Sequence, residues 1–402
     1  MTIRALFITH AFAPLYKDGG PAYSVTQLAK HLTNFGVEVT VLHFLADGDP
    51  QKLHDDDISC SGVTIYRYQN SRKNGNPFVS RLGSGFRYNR DASSLILEHL
   101  DNVDVIHIQL SFLYPGYVAA KLAKERGIPL FYSQRGVLHP NRMRHGYVKK
   151  SLYYRFFESK ILEVASKLVA LNQIEVETYV NLGFEPGKVT LIPNGIDLPG
   201  VDRKSDSQAN VTTDAPFRLL YLGRLDPTKG IDLLVDAVGN LVNIHGYEIE
   251  LRIAGGGNDN YLLALQKRVN ALNLDDCVLF LGYVEGPRKF ELLDYCDLFA
   301  LPSAAEGLSI AILEAIQMGS RFLITKECGF SEAVDLGLGN YCVRNVDDIT
   351  HKIAGEIKAE TKKSNLSVKD RYLEQYRWPR IASRLASEYI AVADKKKSGK
   401  NS

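Results

Sequence analysis

Residues 302–315 read PSAAEGLSIAILEA, and seven residues separate Glu306 from Glu314 within this segment. The apolar run that ends near Pro302 predicts a buried strand, and the apolar spacing from Ser309 onward predicts a helix. The first carboxylate then lies on a loop of small residues and the second on the helix. A strand-loop-helix corner of this kind is a typical anion-binding site.

The beginning of this helix favours a bound phosphate. The first backbone amides of a helix have no partner within the helix, and the helix dipole favours negative charge beside them. The amides of Gly307, Leu308 and Ser309 are therefore candidates for binding a diphosphate, and the two nearby carboxylates are suited to accepting hydrogen bonds from the hydroxyls of a sugar and a ribose. For an arbitrary pair of glutamates, a solvated loop acid and a helix-surface acid are the simpler interpretation.

Strands and helices alternate on both sides of this corner. In the second half, strands are predicted at 218–222, 250–254, 278–281, 298–301 and 322–325, and helices at 230–245, 260–272, 287–295 and 309–318. In the first half, strands are predicted at 3–9, 37–44, 103–108, 130–133, 168–171 and 189–192. The polar residues 200–216 separate the halves as a linker. The predicted fold class is α/β, with two Rossmann-like domains that face each other.

Length and composition agree with this division. A chain of 402 residues is too long for one typical core, and 45% hydrophobic with 23% charged residues is usual for a globular protein. No apolar run reaches the roughly 18 residues of a membrane-spanning helix, and the N-terminal residues lack a signal-peptide pattern. We therefore expect a cytoplasmic protein.

The cysteines predict neither a disulfide framework nor a metal site. Their number is odd, they are scattered, and no pair has the spacing of metal ligands. We expect reduced thiols and no structural metal. The five are Cys60, Cys277, Cys296, Cys328 and Cys342.

A second motif, Gly223–Gly230, reads GRLDPTKG and follows a predicted strand. Arginine offers a planar fork to phosphate oxygens, and lysine offers a mobile point charge. Arg224 and Lys229 together could therefore neutralise a diphosphate without a metal. Either residue taken alone would be interpreted as a surface cation.

The ordered set of motifs closely resembles the retaining glycosyltransferases of family 4, which have the two-domain GT-B fold. The resemblance covers essentially the whole chain, and the order of the motifs makes it specific. The motifs are Gly19-Gly20, PNGID at 193–197, Gly223–Gly230, AGGG at 254–257 and the pair Glu306 and Glu314. The resemblance implies a first domain at 1–198 that binds the acceptor and a second at 199–377 that binds the donor. A C-terminal helix at 378–394 is expected to return to the first domain.

The resemblance also implies the roles of individual residues. A nucleotide-diphospho-sugar would bind in a deep cleft between the domains, with Arg224 and Lys229 on the diphosphate, Glu314 on the ribose and Glu306 on the transferred sugar. Further donor contacts would come from Gly19, Gly20, Tyr283, Gly307, Leu308 and Ser309. No cofactor or metal is implied, because the nucleotide-sugar is a substrate.

The implied chemistry preserves the anomeric configuration. Cations and amides fixed at the leaving diphosphate stabilise its added charge. For this family, the acceptor hydroxyl is thought to attack on the face of the leaving group, and the leaving phosphate takes its proton. No dedicated protein base is then required.

This chain departs from the family at Arg135. Many members have His-Gly after the strand that here ends in Tyr132-Ser133, and that histidine lies near the donor sugar. Arg135 stands in place of this histidine. The resemblance therefore implies that Arg135 lies near the donor sugar, but it implies no acid-base role for Arg135. Arg135 joins Glu306, Arg224 and Lys229 as a catalytic candidate. His107 is a candidate acceptor or sugar contact, and a core histidine is an equally good interpretation of it.

Basic residues are concentrated in one part of the chain. Residues 60–160 contain 16 Lys and Arg against 6 Asp and Glu, whereas the formal charge of the whole chain is only +2. Aromatic residues alternate with the basic ones, as suits an anionic membrane surface and a lipid-linked acceptor. No nucleic-acid motif accompanies them, and a solvated charged face over core aromatics is the alternative. The basic residues are Arg67, Arg72, Lys73, Arg81, Arg87, Arg90, Arg142, Arg144, Lys149, Lys150 and Arg155, and the aromatic ones are Phe78, Phe86, Tyr88, Tyr147, Tyr153, Tyr154, Phe156 and Phe157.

Three functions are compatible with the motifs. The first is transfer of a hexose to a glycan or lipid-linked acceptor in bacterial-type polysaccharide, lipopolysaccharide or glycolipid synthesis, with a UDP-sugar favoured over GDP-mannose. The second is a nucleotide-sugar epimerase or disaccharide phosphorylase on the same fold. The third is a catalytically silent sugar-binding protein, against which the intact set of charged residues argues.

Overall fold

The structure is a computed structural model and describes residues 2–15, 19–45, 62–69, 88–144, 147–197, 215–359 and 366–399. The chain forms two compact units. The first unit comprises Met1–Gly195 and Trp378–Ser402, and the second comprises Ile196–Arg377. Each unit is built on its own parallel sheet, so the prediction of two Rossmann-like α/β domains is confirmed.

A sheet of seven parallel strands forms the centre of the first unit. The strands are β1 (Ile3–Thr9), β2 (Val37–Phe44), β3 (Val63–Tyr68), β4 (Val105–Gln109), β5 (Leu130–Ser133), β6 (Lys167–Ala170) and β7 (Val189–Leu191). Their order is β3-β2-β1-β4-β5-β6-β7. The helices are α1 (Gly20–Thr33), α2 (Ala92–Leu97), α3 (Tyr114–Arg126), α4 (Pro140–Arg144), α5 (Tyr147–Tyr153), α6 (Ser159–Val164), α7 (Gln173–Asn181) and α15 (Trp378–Gly399), and a π-helical turn at Tyr154–Glu158 joins α5 to α6.

Side chains bury both faces of this sheet. Successive residues of a strand point to opposite faces, so Leu6 and Phe7 of β1 belong to two different hydrophobic clusters, and both are fully buried. Parallel sheets are normally covered on both faces in this way. This explains why the strands appear in the sequence as continuous apolar runs.

The C-terminal helix α15 belongs to the core of the first unit. Trp378, Ile381, Leu385 and Tyr389 are buried in the same cluster as the apolar face of α1. A Cβ added to Gly195 would lie 2.4 Å from the Trp378 ring, so the glycine of the PNGID motif is what lets this ring pack. The helix ends at Gly399, beyond the expected end at residue 394.

The second unit contains a sheet of six parallel strands. The strands are β8 (Phe217–Leu222), β9 (Ile249–Ala254), β10 (Val278–Gly282), β11 (Leu298–Leu301), β12 (Arg321–Ile324) and β13 (Gly339–Tyr341). Their order is β10-β9-β8-β11-β12-β13. The helices are α8 (Ile231–Asn243), α9 (Asp259–Ala271), α10 (Pro287–Tyr295), α11 (Ile310–Met318), α12 (Ser331–Asp335), α13 (Val346–Lys358) and α14 (Leu366–Leu373).

Two strands were not predicted from the sequence. Both β3 and β13 lie at the edge of their sheets. Strand β3 alternates between exposed and half-buried residues, and β13 has only three residues. Neither therefore has the apolar run that marks the central strands. The predicted linker at 200–216 lies almost entirely outside the described residues.

The predicted basic-aromatic surface is only partly a surface. Tyr153 is buried, and its ring packs against Phe112 and Phe157. Tyr153 and Phe157, both predicted as surface aromatics, therefore pack in the core instead. Tyr147 and Phe156 are exposed. Several of the other predicted members lie outside the described residues: Arg72, Lys73, Phe78, Arg81, Phe86 and Arg87.

Within the described residues, no helix is both long and apolar enough to cross a membrane. The same residues contain no group of three or more His, Cys, Asp or Glu side chains arranged to hold a metal ion. Cys277, Cys296, Cys328 and Cys342 are free thiols, and Cys60 lies outside the described residues.

Candidate functional site

The two central strands of the second sheet bring the predicted motifs together. Strands β8 and β11 are hydrogen-bonded neighbours, although two strands intervene between them in the chain. The order in which strands are added to the sheet therefore reverses between β8 and β11, which makes this position a topological switch point. Open α/β sheets bind their ligands at the carboxyl ends of the strands at such a point. Gly223–Gly230 follows β8, and the segment that carries Glu306 follows β11.

An ion pair connects these two segments. Lys229 Nζ lies 2.5 Å from Glu306 Oε1, and the side chains are only 14% and 10% exposed. The backbones also meet, because Ala304 N donates to Thr228 O at 2.7 Å. The carboxylate predicted to hold a sugar and the lysine predicted to hold a diphosphate are therefore adjacent and fixed to one scaffold.

Local sequence determines the shape of the first segment. Asp226 caps the single turn Pro227–Lys229, since its Oδ1 accepts hydrogen bonds from Thr228 N at 2.9 Å and from Thr228 Oγ1 at 2.5 Å. Gly230 then has a left-handed φ of 72°, and a Cβ added there would lie 2.3 Å from Pro302 O. Only glycine allows the chain to turn into α8 so close to the segment after β11.

The AGGG motif supports the same segment from the other side. Gly223 N donates to Ala254 O, and Leu225 N donates to Gly256 O, at 3.0 and 2.8 Å. A Cβ on Gly255 would lie 1.8 Å from Gly223 O, and one on Gly257 would lie 2.5 Å from Leu225 O. Backbone therefore packs directly on backbone here, and these two glycines hold Arg224 and its neighbours in place.

Arg224 is more accessible than Lys229. Its side chain is 41% exposed, and Nη2 lies 3.7 Å from Asp226 Oδ2. The backbone carbonyl of Arg224 accepts a hydrogen bond from Tyr221 Oη at 2.7 Å, which fixes the main chain at this residue. Exposed pairs of this kind contribute little to stability, so the charge is available to an anion.

Glu314 lies on α11 and forms an ion pair that the sequence did not predict. Its side chain is 7% exposed, and its Oε1 lies 2.5 Å from Lys289 Nζ on α10. Burial raises the pKa of Glu314, the Lys289 charge works against this rise, and Asp197 adds to it. Lys289 therefore helps keep the carboxylate ionised. The Lys289–Glu314 pair could not be predicted from the sequence, because Lys289 has the pattern of an ordinary polar residue of a short helix.

Replacing Lys289 with methionine is expected to make nucleotide binding pH-dependent. Without the ammonium, the pKa of Glu314 rises further, so the carboxylate is protonated at a higher pH than in the wild type. Affinity for UDP should then fall as the pH is lowered, by at least about tenfold once the carboxylate is protonated, because hydrogen bonds to charged groups contribute about 1.5–3 kcal/mol. Calorimetric titration at several pH values measures the effect. The exposed neighbour Arg288 provides the control variant Arg288→Met, which should follow the wild-type profile.

The remaining donor-site candidates lie around the same edge. Gly307, Leu308 and Ser309 directly precede α11, and Ser309 is its N-cap residue, without a capping hydrogen bond from its side chain. Tyr283 follows β10, is 58% exposed, and lies beside Gly256. Their contacts with a donor stay predictions.

In the first unit, Gly19 is the N-cap of α1, with a φ of 79°, and Gly20 is the first residue of that helix. The helix follows β1, and the topological switch point of the first sheet lies between β1 and β4. Residues 16–18 lie outside the described residues. The glycine pair therefore has the position in its sheet that Gly223–Gly230 has in the other.

His107 is a core residue in this structure. It is fully buried, its Nδ1 pairs with Tyr389 Oη at 2.6 Å, and its Nε2 pairs with Ser133 Oγ at 2.8 Å. Burial and the charge of Arg135 lower the pKa of His107 well below its usual value. Of the two interpretations of this residue, the structure therefore favours the core histidine over the substrate contact.

Two buried carboxylates of the first unit, Glu158 and Glu175, were not predicted from the sequence. Glu158, on the π-helical turn, accepts hydrogen bonds from Tyr132 Oη and, at 3.0 Å, from Phe112 N. Glu175 accepts from Gly136 N and, at 2.8 Å, from Leu171 N. Burial raises the pKa of both to about 7. They hold the loops that follow β4, β5 and β6, and no spacing in the sequence distinguishes them from surface glutamates.

Two family models match the chain. Residues 18–199 match the model described as Glycosyltransferase Family 4, and residues 202–370 match the model described as Glycosyl transferases group 1. Together they cover most of the chain. The chain therefore belongs to the family 4, group 1 glycosyltransferases and has their GT-B fold.

Individual relatives share about a quarter of their residues with this chain or fewer. D-inositol 3-phosphate glycosyltransferase 2 of Catenulispora acidiphila is 27% identical over 254 residues, so the match spans 59% of this chain and 59% of that relative. The N,N'-diacetylbacillosaminyl-diphospho-undecaprenol alpha-1,3-N-acetylgalactosaminyltransferase of Campylobacter jejuni is 26% identical over 382 residues, 91% of this chain and 92% of that protein. The crystal structure of Anabaena HepE with UDP-glucose has a TM-score of 0.69 at 19% identity, over 97% of this chain and 100% of that one.

Proposed function

We propose that this chain is a retaining glycosyltransferase that moves a hexose from a nucleotide-diphospho-sugar to a glycan or lipid-linked acceptor. The observation that supports this most directly is the Lys229–Glu306 pair, 2.5 Å apart at the carboxyl edge of the second sheet. A cation for a diphosphate and a carboxylate for sugar hydroxyls lie side by side there, beside the N-terminus of α11.

The proposed chemistry depends on charge. Breaking the anomeric bond leaves an oxocarbenium-like sugar and a diphosphate with added negative charge. Arg224 and Lys229 stabilise that charge more in the transition state than in the ground state, and so lower the barrier without a metal. The acceptor hydroxyl attacks from the face of the departing phosphate and gives its proton to a phosphate oxygen. The anomeric configuration is retained, and no protein base is used.

We propose a UDP-hexose as the donor, with GDP-mannose as the rival. HepE of Anabaena was crystallised with UDP-glucose, and the Campylobacter relative is named for a lipid-linked diphosphate acceptor. In this chain, Glu314 would accept hydrogen bonds from the ribose hydroxyls, and Lys289 Nζ lies 2.5 Å from its Oε1. A ribose is common to both donors, so these two residues do not discriminate between the bases.

Thermal stabilisation of the full chain by nucleotides tests this proposal. A ligand at about 100 times its Kd stabilises the folded state by roughly 2.7 kcal/mol. We expect UDP and UDP-hexoses to raise Tm, and GDP and ADP to raise it less. Mass spectrometry then separates transfer to an added acceptor from epimerisation without acceptor and from sugar phosphate formed with added phosphate. If no nucleotide raises Tm, the proposal fails and the silent sugar-binding alternative gains support.

A lipid-linked acceptor agrees with one surface of the first unit. Val148, Leu152 and Phe156 recur every four residues along α5 and the π-helical turn, and they are 69%, 44% and 53% exposed. Lys149 and Arg155 are exposed beside them. We call these five residues the apolar-basic stripe. An apolar row flanked by cations suits the surface of an anionic membrane, and each basic residue near such a surface contributes about 1 kcal/mol.

We expect the double substitution Val148→Ser with Phe156→Ser to weaken binding to anionic vesicles at least about tenfold, because both side chains would otherwise be buried in the lipid interface. Co-sedimentation with phosphatidylglycerol vesicles measures this, and phosphatidylcholine vesicles show the contribution of charge. Ile244→Ser removes a side chain that is 71% exposed in the second unit and serves as the control. Equal binding by the double variant and the wild type would exclude the stripe as the membrane contact.

A further inference from the structure

Arg135 is the centre of a polar cluster in the first unit. Its guanidinium donates through Nε to Gln109 Oε1 at 2.8 Å, and through Nη1 to Ser24 Oγ at 3.0 Å and Asn194 Oδ1 at 2.9 Å. These partners come from β4, from α1 and from the PNGID segment. Arg135 is only 6% exposed. A buried cation therefore joins three parts of the chain at the carboxyl edge of the sheet.

The partners of this cation are neutral. Within the described part of the chain, no carboxylate oxygen lies within 4.0 Å of the guanidinium. Glu175 is the acid that influences Arg135 most, and burial raises its pKa to about 7, so its charge near neutral pH is only partial. The other titratable neighbours, Tyr389 and His107, are buried and neutral. Buried charges are normally paired, so this one is a candidate for an external anion.

The surrounding amides add donors that lack acceptors. Gln109 Nε2 and Gln134 Nε2 are buried and have no hydrogen-bond partner among the described residues. Their orientations are fixed, because Gln109 Oε1 accepts from Arg135 Nε at 2.8 Å and Gln134 Oε1 accepts from Leu138 N at 3.0 Å. No acceptor in the described residues bonds Arg135 Nη2 either. The cluster thus has donors left over, which matches a ligand that only accepts hydrogen bonds.

Three non-glycine residues with unusual backbone conformations lie at the same carboxyl edge of the first sheet. Arg135, Leu110 and Phe112 have left-handed φ values of 51°, 84° and 59°. Non-glycine residues rarely adopt this conformation, and strain of this kind is concentrated at functional sites. Leu110 and Phe112 follow β4, and Arg135 follows β5. They lie next to the topological switch point of the first sheet, where α/β sheets bind their ligands.

We propose that Arg135, with the side-chain amide of Gln109, binds an oxyanion of a substrate, either a carboxylate or a phosphate. The anion is an acidic group on the acceptor, which defines the acceptor as an acidic or phosphorylated sugar. The inference rests on the proposed function only in attributing the anion to a substrate.

Calorimetry on the full chain tests the site, with inorganic phosphate, glucuronate and UDP as probes at constant ionic strength and glucose as the neutral match for glucuronate. The test variants are Arg135→Gln and Arg135→Lys, and the control is Arg126→Gln, which removes an exposed arginine of the same unit. We expect at least a tenfold loss of affinity for phosphate or glucuronate in Arg135→Gln, partial retention in Arg135→Lys and no change in the control.

The pattern across probes identifies the source of the anion. A loss for phosphate or glucuronate with unchanged UDP affinity supports an acidic group on the acceptor, and an equal loss for UDP would overturn that assignment. Equal affinities of Arg135→Gln and the wild type for all three probes would overturn the proposal. If the wild type binds phosphate through Arg135 but binds no nucleotide, the anion site stands and the proposed function fails.

A measurement on the wild type covers the case in which the Arg135 variants do not fold. Selenate has the shape and charge of a phosphate-like oxyanion, and its selenium scatters anomalously. In crystals of the full chain soaked in selenate, we expect an anomalous peak at hydrogen-bonding distance from the Arg135 guanidinium. A selenate-soaked crystal without a peak there would refute the site.

Discussion

Replacing Lys229 with methionine should lower kcat/KM for sugar transfer by about 10²–10³-fold while the protein stays folded. Removal of one fixed donor that stabilises developing charge has effects of this size. Lys229 lies 2.5 Å from Glu306 and projects from a segment that backbone hydrogen bonds hold in place, so the loss concerns charge rather than shape. Steady-state kinetics with a radiolabelled sugar donor measures the change, and Tm reports on folding.

The partner substitution Glu306→Gln makes this prediction sharper. If the two side chains act on the same bound donor, the double variant should lose much less activity than the product of the two single losses, because residues that act together are not additive. Lys267→Met, on the exposed face of α9, is the matched control and should keep wild-type kinetics. Near-normal turnover of Lys229→Met would refute the role assigned to the pair.

Replacing Gly255 with alanine should destabilise the second unit by about 3 kcal/mol and abolish nucleotide binding. The new methyl carbon would lie 1.8 Å from Gly223 O, and this oxygen belongs to the backbone, so the clash cannot be relieved by moving a side chain. Overpacking of rigid contacts typically costs about 1–3 kcal/mol and sometimes more. The displaced segment also carries Arg224, which explains the expected loss of binding.

Chemical denaturation, followed by UDP titration of the folded fraction, measures both effects of Gly255→Ala. Gly355→Ala is the control, because Gly355 lies within α13 and a Cβ there would meet no atom within 4 Å. That change should leave binding intact and stabilise the helix by up to about 1 kcal/mol. A Gly255→Ala variant as stable as the wild type would show that the backbone contact with Gly223 is not rigid.

The amino-acid sequence determined the fold class and most of the candidate donor site. Central parallel strands are buried on both faces, so they appear as apolar runs, and each glycine-rich or charged motif directly follows one of them. This regularity located Gly223–Gly230 and the Glu306 segment without any tertiary information. The sequence also indicated the return of the C-terminal helix, because the resemblance to the family extended over nearly the whole chain.

Only the tertiary structure determined which charges act together. The pairs Lys229–Glu306 and Lys289–Glu314 join residues far apart in the chain, and a helical lysine has the same local pattern whether it faces solvent or a buried carboxylate. His107 could likewise be assigned to the core only when Tyr389 was found beside it. The cluster of hydrogen-bond donors around Arg135 depends on side chains from three segments that are distant in the chain. Periodicity predicts which face of an element is buried, but the partners on that face are set by how strands are ordered in the sheet.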